Sequence, residues 1–227
     1  MGDACKPIEV NIVEAVAESP LLDLASSWAD LGIEALLDSD LLQEVPLLSQ
    51  VVSLWQGGQQ IRSLLFTKKL LRFLQGAGIA SEEERLRFVG RMRERPNEER
   101  RVGEHLILIL EQLDDMSKPV MIGRVFADYM RRKITYDEFR QMAKAIEATS
   151  IQDLELLVDC SDWRDHAYDE MVGGLFLDDS VPGAVRSRLL GSGLVERTSV
   201  GYEVTQLGRY MARYIRTPDE RDGQTVT

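Results

Sequence analysis

Apolar residues recur every three or four positions along most of the first 160 residues, and this is the spacing of one face of an α-helix. Between residues 102 and 116 the apolar stripe is wide enough to predict a central helix that is buried over most of its circumference. Ser81 with Glu84, and Thr135 with Glu138, have the spacing of a capping box, in which each side chain satisfies a free backbone amide. The apolar stripe between residues 102 and 116 consists of Val102, Leu106, Ile109, Leu110 and Leu113, and Ile107 and Leu108 widen it.

Short polar segments separate the predicted helices. Pro96 and Asn97 are expected to end one helix and to cap the next. Residues 117–119 read Ser-Lys-Pro, which interrupts the pattern before another amphipathic helix. Ser150 with Asp153 has the spacing of a further helix start. The chain up to about residue 150 therefore predicts a domain built only of helices.

The pattern changes after residue 150, where glycines and short strand-like runs replace the helical period. Two β-rich segments flank the turn at residues 199–201, and alternation around Tyr202 and Val204 favours a hairpin. Ser180 is expected to cap a short helix that has Pro182 in its first turn and ends near Gly191 and Gly193. A last helix would turn Leu207, Met211 and Ile215 inward.

This order of helix, strand, turn, strand and helix resembles that of winged-helix domains. The fold class that follows is mainly α, with a multi-helix N-terminal domain and a small winged-helix-like α+β module. We assign residues 1–150 to the helical domain, 151–216 to the module and 217–227 to a polar tail.

A winged helix that reads DNA needs cationic or amide side chains on the face turned toward the groove. The candidate reading helix offers Arg186 and Arg188, which are two positions apart and so lie on different faces. In the last helix Arg209, Arg213 and Arg216 share one face. Residues 147–227 hold 15 acidic and 8 basic residues, which disfavours nucleic acid. A DNA-binding transcription regulator is therefore an alternative hypothesis, and protein contact is preferred.

Residues 41–74 are the most unusual stretch, with two predicted apolar helices around Gly57 and Gly58. The run from Val45 to Trp55 is too short to span a bilayer. The preferred interpretation is a buried hairpin of the helical domain, and the alternative is a membrane-perturbing or partner-binding hairpin exposed only on activation. Its contact residues would be Leu47, Leu48, Val51, Val52, Trp55, Lys68, Lys69 and Arg72.

Charge and composition narrow the function classes. The net charge is −11, yet residues 61–146 hold 18 basic and 13 acidic residues, so the middle of the chain is mildly basic. Two cysteines without a spaced framework and no signal-peptide pattern predict a cytoplasmic protein. We find no phosphate loop, nucleophile elbow or cysteine pair of redox type, and so expect no enzyme and no cofactor.

Residues 128–139, DYMRRKITYDEF, resemble the second half of an EF-hand, with Ile134 and Glu138 at the eighth and twelfth positions of the calcium loop. Calcium needs oxygen ligands from the first half of the loop. The residues there are Ala127, Tyr129 and Arg131, and Arg132 stands at the glycine position. We therefore predict a capped helix start here and no metal site.

Several segments resemble a family of bacterial helical proteins to which no activity is assigned. The shared elements are KKLLRFL at 68–74, RVGEHL at 101–106 and DDMSKP at 114–119, followed by GRVF at 123–126. The resemblance implies a bacterial origin, and phage (antiviral) defence is one expected setting. The leading hypothesis is a non-enzymatic scaffold, sensor or accessory subunit that acts on a protein partner or as a homo-oligomer.

Overall fold

The structure is a computed structural model that describes residues 6–18, 21–22, 25, 60–159, 176–177, 181–199 and 201–215. The fold is mainly helical, with a small two-stranded antiparallel sheet. The chain divides into two compact units, residues 1–139 and 140–227, and the boundary falls within one helix. The domain limits expected from the sequence, near residue 150, stay a prediction.

The described part of the first unit consists of helices. They are α1 (Ile8–Ala15), α2 (Gln60–Ala77), α3 (Glu82–Arg93), α4 (Pro96–Gln112), α5 (Lys118–Met130) and the start of α6 (Tyr136–Ala148). Helix α5 packs along α2, and α4 packs along α1. Close approach of α2 and α5 depends on glycine, because a Cβ added at Gly123 would lie 2.1 Å from the carbonyl oxygen of Phe73.

Helix α5 buries a larger share of its residues than α4, which contains most of the stripe at residues 102–116 that predicts a central helix. The predicted stripe from Val102 to Leu113 is buried, but Leu108 is 56% exposed, so α4 presents one face to solvent. In α5, by contrast, Met121, Ile122, Val125 and Phe126 are all buried. Aromatic rings form part of this core: Phe73, Phe88, Tyr129 and Phe139 all lie within 6 Å of the Phe126 ring, centroid to centroid.

The predicted helix starts are confirmed where both partners are local in the sequence. Ser81 and Glu84 form a capping box at α3. The Thr135 amide donates to Glu138 at 2.6 Å, and the Glu138 amide donates to the Thr135 hydroxyl at 3.2 Å. The cap expected from Asn97 was wrong, since Pro96 is already the first residue of α4 and Asn97 lies within the helix.

The second unit contains the rest of α6, α7 (Ile151–Asp159), α8 (Gly183–Gly191), β1 (Val195–Arg197), β2 (Tyr202–Val204) and α9 (Gln206–Ile215). The strands pair antiparallel, with Val195 opposite Val204. The Asp153 amide donates to the Ser150 hydroxyl at 3.1 Å, which confirms the cap of α7. Pro182 precedes α8 as its N-cap instead of lying in the first turn, and Ser180 lies outside the described residues.

Candidate anion site

The end of helix α5 carries the single residue other than glycine with positive φ in the described part of the chain, Arg132 at φ 62°. The Lys133 amide donates to the Asp128 carbonyl at 2.9 Å and the Arg132 amide to the Tyr129 carbonyl at 3.0 Å. These two bonds define a Schellman motif, whose left-handed position is usually glycine because a side chain is strained there.

Helix α8 ends in the same motif and uses the expected residue. Gly193 has φ 75°, its amide donates to Leu190, and the Leu194 amide donates to Leu189. The two helix ends therefore differ in the residue at the left-handed position, glycine in one case and arginine in the other. Arg132 is therefore a side chain carried on a strained backbone conformation, and such strain is found at functional sites.

Two cavities open beside Arg132, and Arg91 of α3 lies in the wall of both. The first, cavity 1, has a volume of about 440 Å³, and the second, cavity 2, about 390 Å³. We call the two cavities together the arginine cleft. The arginines that line it are Arg87, Arg91, Arg95, Arg131 and Arg132.

Three of these arginines have acidic partners. Arg131 contacts Glu84 at 2.9 Å. The pairs Arg87–Glu83 and Arg95–Glu98 each measure 3.3 Å. The bond from Arg131, together with the Ser81 amide, lowers the pKa of the Glu84 carboxyl to about 2. These charges are therefore largely compensated within the protein.

Arg91 and Arg132 differ from the other arginines, since neither has an ion pair among the described residues. Arg91 donates to the Met130 carbonyl at 3.0 Å and lies over the Phe88 ring. Burial lowers the pKa of Arg91, and the positive charges of Arg132, Arg87 and Arg95 lower it further. The cleft thus holds two uncompensated guanidinium groups that repel each other.

Cavity 1 also has an apolar wall and a buried hydroxyl. Phe88, Met92 and Ile134 contribute apolar surface. Tyr129 lines the same cavity, is 8% exposed, and its hydroxyl makes no hydrogen bond of normal geometry among the described atoms. Burial and the nearby Glu98 carboxylate raise the pKa of Tyr129, so the hydroxyl keeps its proton at neutral pH.

The residues proposed for DNA reading are engaged within their own unit. Arg188 makes a two-pronged ion pair with the buried Asp153, at 2.6 and 2.7 Å. Arg209 contacts Glu203 at 3.3 Å. The guanidinium of Arg186 lies 5.3 Å from the centre of a tyrosine ring on β2. Arg186 and Arg188 therefore have different neighbours, as their spacing predicts.

The other two residues of that set fall outside the description. The side chain of Arg213 lies outside the described residues, and so does all of Arg216. Their predicted role at a phosphate backbone stays a prediction.

Part of the apolar hairpin can be placed. Lys69 on α2 donates to the carbonyl oxygens of Glu111 and Leu113, at 3.0 and 2.6 Å, and so satisfies the end of α4. Lys68 and Arg72 are half-buried on the same helix. No helix within the described ranges combines the length and apolar character needed to cross a bilayer. Outside those ranges lie Leu47, Leu48, Val51, Val52 and Trp55.

A metal site is absent from the described residues, where no three His, Cys, Asp or Glu side chains are grouped to hold an ion. At the EF-hand-like segment, the Glu138 carboxylate is the capping partner of Thr135, and these bonds lower its pKa. Ile134 is buried within the first unit. The geometry here is that of a helix start.

Comparisons with protein-family models, with curated proteins and with solved structures give no match to this chain. The resemblance to a bacterial family therefore stays a prediction, together with the bacterial origin, the phage-defence setting and the cytoplasmic location.

The arginine cleft was missed from sequence, although one signal for it is present. Arg87, Arg91 and Arg95 are spaced by four residues, which places them on one side of the chain in a helical conformation. The second half of the site, Arg131 and Arg132, follows some 40 positions later, and only the packing of α3 near the end of α5 brings the two together.

Proposed function

We propose that this chain is a non-enzymatic interaction protein and that its arginine cleft binds an acidic segment of a protein partner. The observation that carries the proposal is the pair of guanidinium groups, Arg91 and Arg132, which have no ion pair among the described residues of a chain of net charge −11. Arginine binds carboxylates through paired, charge-assisted hydrogen bonds and does not exchange protons near neutral pH. The cleft is therefore better equipped to bind than to catalyse.

The acidic groups at the cleft support the same proposal. A general acid needs a pKa near the working pH. Glu84 has a pKa of about 2, and capping bonds lower the pKa of Glu138, so both are ionised and occupied by partners at neutral pH. Tyr129, with its raised pKa, stays protonated. These groups fix the shape of the cleft and provide no proton shuttle.

Fluorescence anisotropy with a fluorescein-labelled hexaglutamate peptide tests the proposal. The protein should bind this peptide at low ionic strength and bind it less tightly as salt is added, because salt screens exposed charges. Arg91→Ala and Arg132→Gly should each weaken binding. Arg197→Ala, which removes an exposed charge from β1 of the other unit, is the matched control and should bind as the unmodified protein does.

The proposal fails if hexaglutamate binds no better than hexaglutamine, or if the two cleft variants bind as well as the control. Circular dichroism of each variant shows whether a loss of binding reflects loss of structure.

We also propose that the second unit is a winged-helix-like module used for protein contact. Its support is the order α8, β1, β2 and α9, together with the bridge between Phe176 and Glu203 beside β2. DNA reading has less support, because phosphates would compete with Asp153 for Arg188 and with Glu203 for Arg209. Duplex binding at low salt that is lost in Arg186→Ala and Arg209→Ala would reverse this preference.

A further inference from the structure

The charge of the arginine cleft indicates the kind of anion that fits it. Arg91 and Arg132 contribute two positive charges that no described acid neutralises, and both line the two cavities. A carboxylate carries one negative charge, whereas a phosphate monoester carries about 1.5 to 2 at neutral pH and has three acceptor oxygens. Two guanidinium forks therefore match a phosphate monoester better than a single carboxylate.

The free-energy cost of holding Arg91 and Arg132 in these positions also supports a phosphate monoester as the bound anion. Arg91 is partly buried next to the like charge of Arg132, and Arg132 is held at a backbone angle that α8 gives to Gly193. A residue in that conformation costs on the order of 1 kcal/mol, and such costs concentrate at ligand sites. An anion between the two guanidinium groups would relieve their repulsion.

Cavity 1 extends this site away from the charge. Its wall holds apolar surface from Phe88, Met92 and Ile134. The buried hydroxyl of Tyr129 lies in the same cavity, near the Glu98 carboxylate. Acidic side chains line both cavities, Glu98 and Glu138 in cavity 1 and Glu84 in cavity 2. The phosphate belongs at the wall that the cavities share, because Arg91 and Arg132 both lie there. An apolar or aromatic group would then occupy cavity 1.

We propose that the arginine cleft binds a phosphate monoester carried on an apolar or aromatic group, with the phosphate held by Arg91 and Arg132. The ester is either a phosphorylated side chain of the partner or a free small molecule, and the experiment separates these sources. The inference rests on the proposed function, because it specifies the anion that the same cleft binds.

Isothermal titration calorimetry with three peptides of one sequence tests the inference. The peptides differ at one central position, which holds phosphotyrosine, tyrosine or glutamate, and phenyl phosphate is the free ester. The phosphotyrosine peptide should bind about tenfold or more tightly than the glutamate peptide, the effect of one additional charge-assisted contact. A phosphopeptide tighter than phenyl phosphate identifies a side chain as the source, and equal affinity identifies the free ester.

Two variants locate the binding. Arg91→Lys keeps the charge but loses the planar fork, and Arg132→Gly removes a guanidinium from a position that suits glycine. Each should lower affinity for the phosphotyrosine peptide about tenfold, while Arg197→Ala leaves it unchanged. Because Arg132→Gly relieves strain, its loss of binding is distinguishable from unfolding.

The outcomes also separate this inference from the proposed function. If the phosphotyrosine and glutamate peptides bind equally while hexaglutamate still binds at the cleft, the phosphate inference is overturned and the proposed function stands. If neither phosphotyrosine nor hexaglutamate binds, both are overturned.

Discussion

Replacing Arg132 by glycine should make the first unit more stable. The residue closes the Schellman motif of α5 at φ 62°, a conformation that a residue with a Cβ adopts only at a cost. The backbone bonds of the motif, from Arg132 and Lys133 to Tyr129 and Asp128, do not depend on the side chain at position 132. The substitution therefore leaves the motif intact and removes its strain.

The size of the effect follows from opposing contributions. Relief of the left-handed conformation contributes about 1–2 kcal/mol, and the greater freedom of glycine in the unfolded chain costs about 0.5–1 kcal/mol. Two smaller contributions to the free energy of unfolding have opposite signs: loss of a cation at a helix C-terminus is destabilising, and relief of the repulsion with Arg91 is stabilising. The net gain lies between about 0 and 1.5 kcal/mol, and its middle value of about 0.75 kcal/mol corresponds to roughly 1.5–3 °C in the unfolding midpoint for a chain of this size.

Thermal unfolding followed by far-UV circular dichroism measures this gain. Arg132→Ala is the matched control, because it removes the same guanidinium but keeps a Cβ in the strained conformation. We expect the glycine variant to unfold at a higher temperature than both the alanine variant and the unmodified protein. Equal midpoints for the glycine and alanine variants would refute the argument from backbone strain.

Three other substitutions test the packing and charge of the fold. Gly103→Ala should destabilise the first unit by about 1–3 kcal/mol, because the added Cβ would lie 1.8 Å from a backbone oxygen of α1. Chemical denaturation should show no such loss for the control Gly90→Ala, because the Cβ added at position 90 would meet open space. Asp153→Asn should destabilise the second unit at pH values above the ordinary aspartate pKa of about 3.9, because the bond to Arg188 lowers the pKa of Asp153 in the folded protein. The stability of the variant should converge with that of the unmodified protein as the pH falls through the lowered pKa. A difference in stability that does not depend on pH would exclude the ion pair as the cause. Glu99→Gln should stabilise the first unit by about 1 kcal/mol at pH 7, because burial raises the pKa of a carboxyl only 5% exposed. This gain should fade as the pH falls through the raised pKa of Glu99 and should be gone below the ordinary glutamate pKa of about 4.3. A loss of stability in urea titrations at pH 7 would contradict it.

Local rules predicted the helix starts and failed where distant partners decide the structure. The caps at Ser81, Thr135 and Ser150 were found because each partner lies three residues along the chain. The mainly helical fold followed from the apolar period in the same way. The deep burial of α5 could not be read from its own stripe, because it depends on side chains of other helices that pack on it.

In the candidate site, too, local sequence patterns were readable and contacts between distant residues were not. Arg188 looked available for DNA until Asp153, 35 positions away, proved to hold it. Arg132 was noted in the sequence only as a mismatch to a calcium loop, because a left-handed conformation and a neighbour on α3 are properties of the folded chain. The spacing of Arg87 and Arg91 was the part of the cleft that the sequence displayed.

The most direct test of the central claim is a nuclear magnetic resonance titration of the arginine side chains. Nitrogen-15-labelled protein, with the Nε–Hε signals of Arg91 and Arg132 assigned by substitution, would be titrated with the phosphotyrosine peptide. We expect both signals to shift and to saturate with one dissociation constant, while the signal of Arg188 does not move. Shifts confined to Arg186 and Arg209, or no change at Arg91 and Arg132 at saturating peptide, would contradict it.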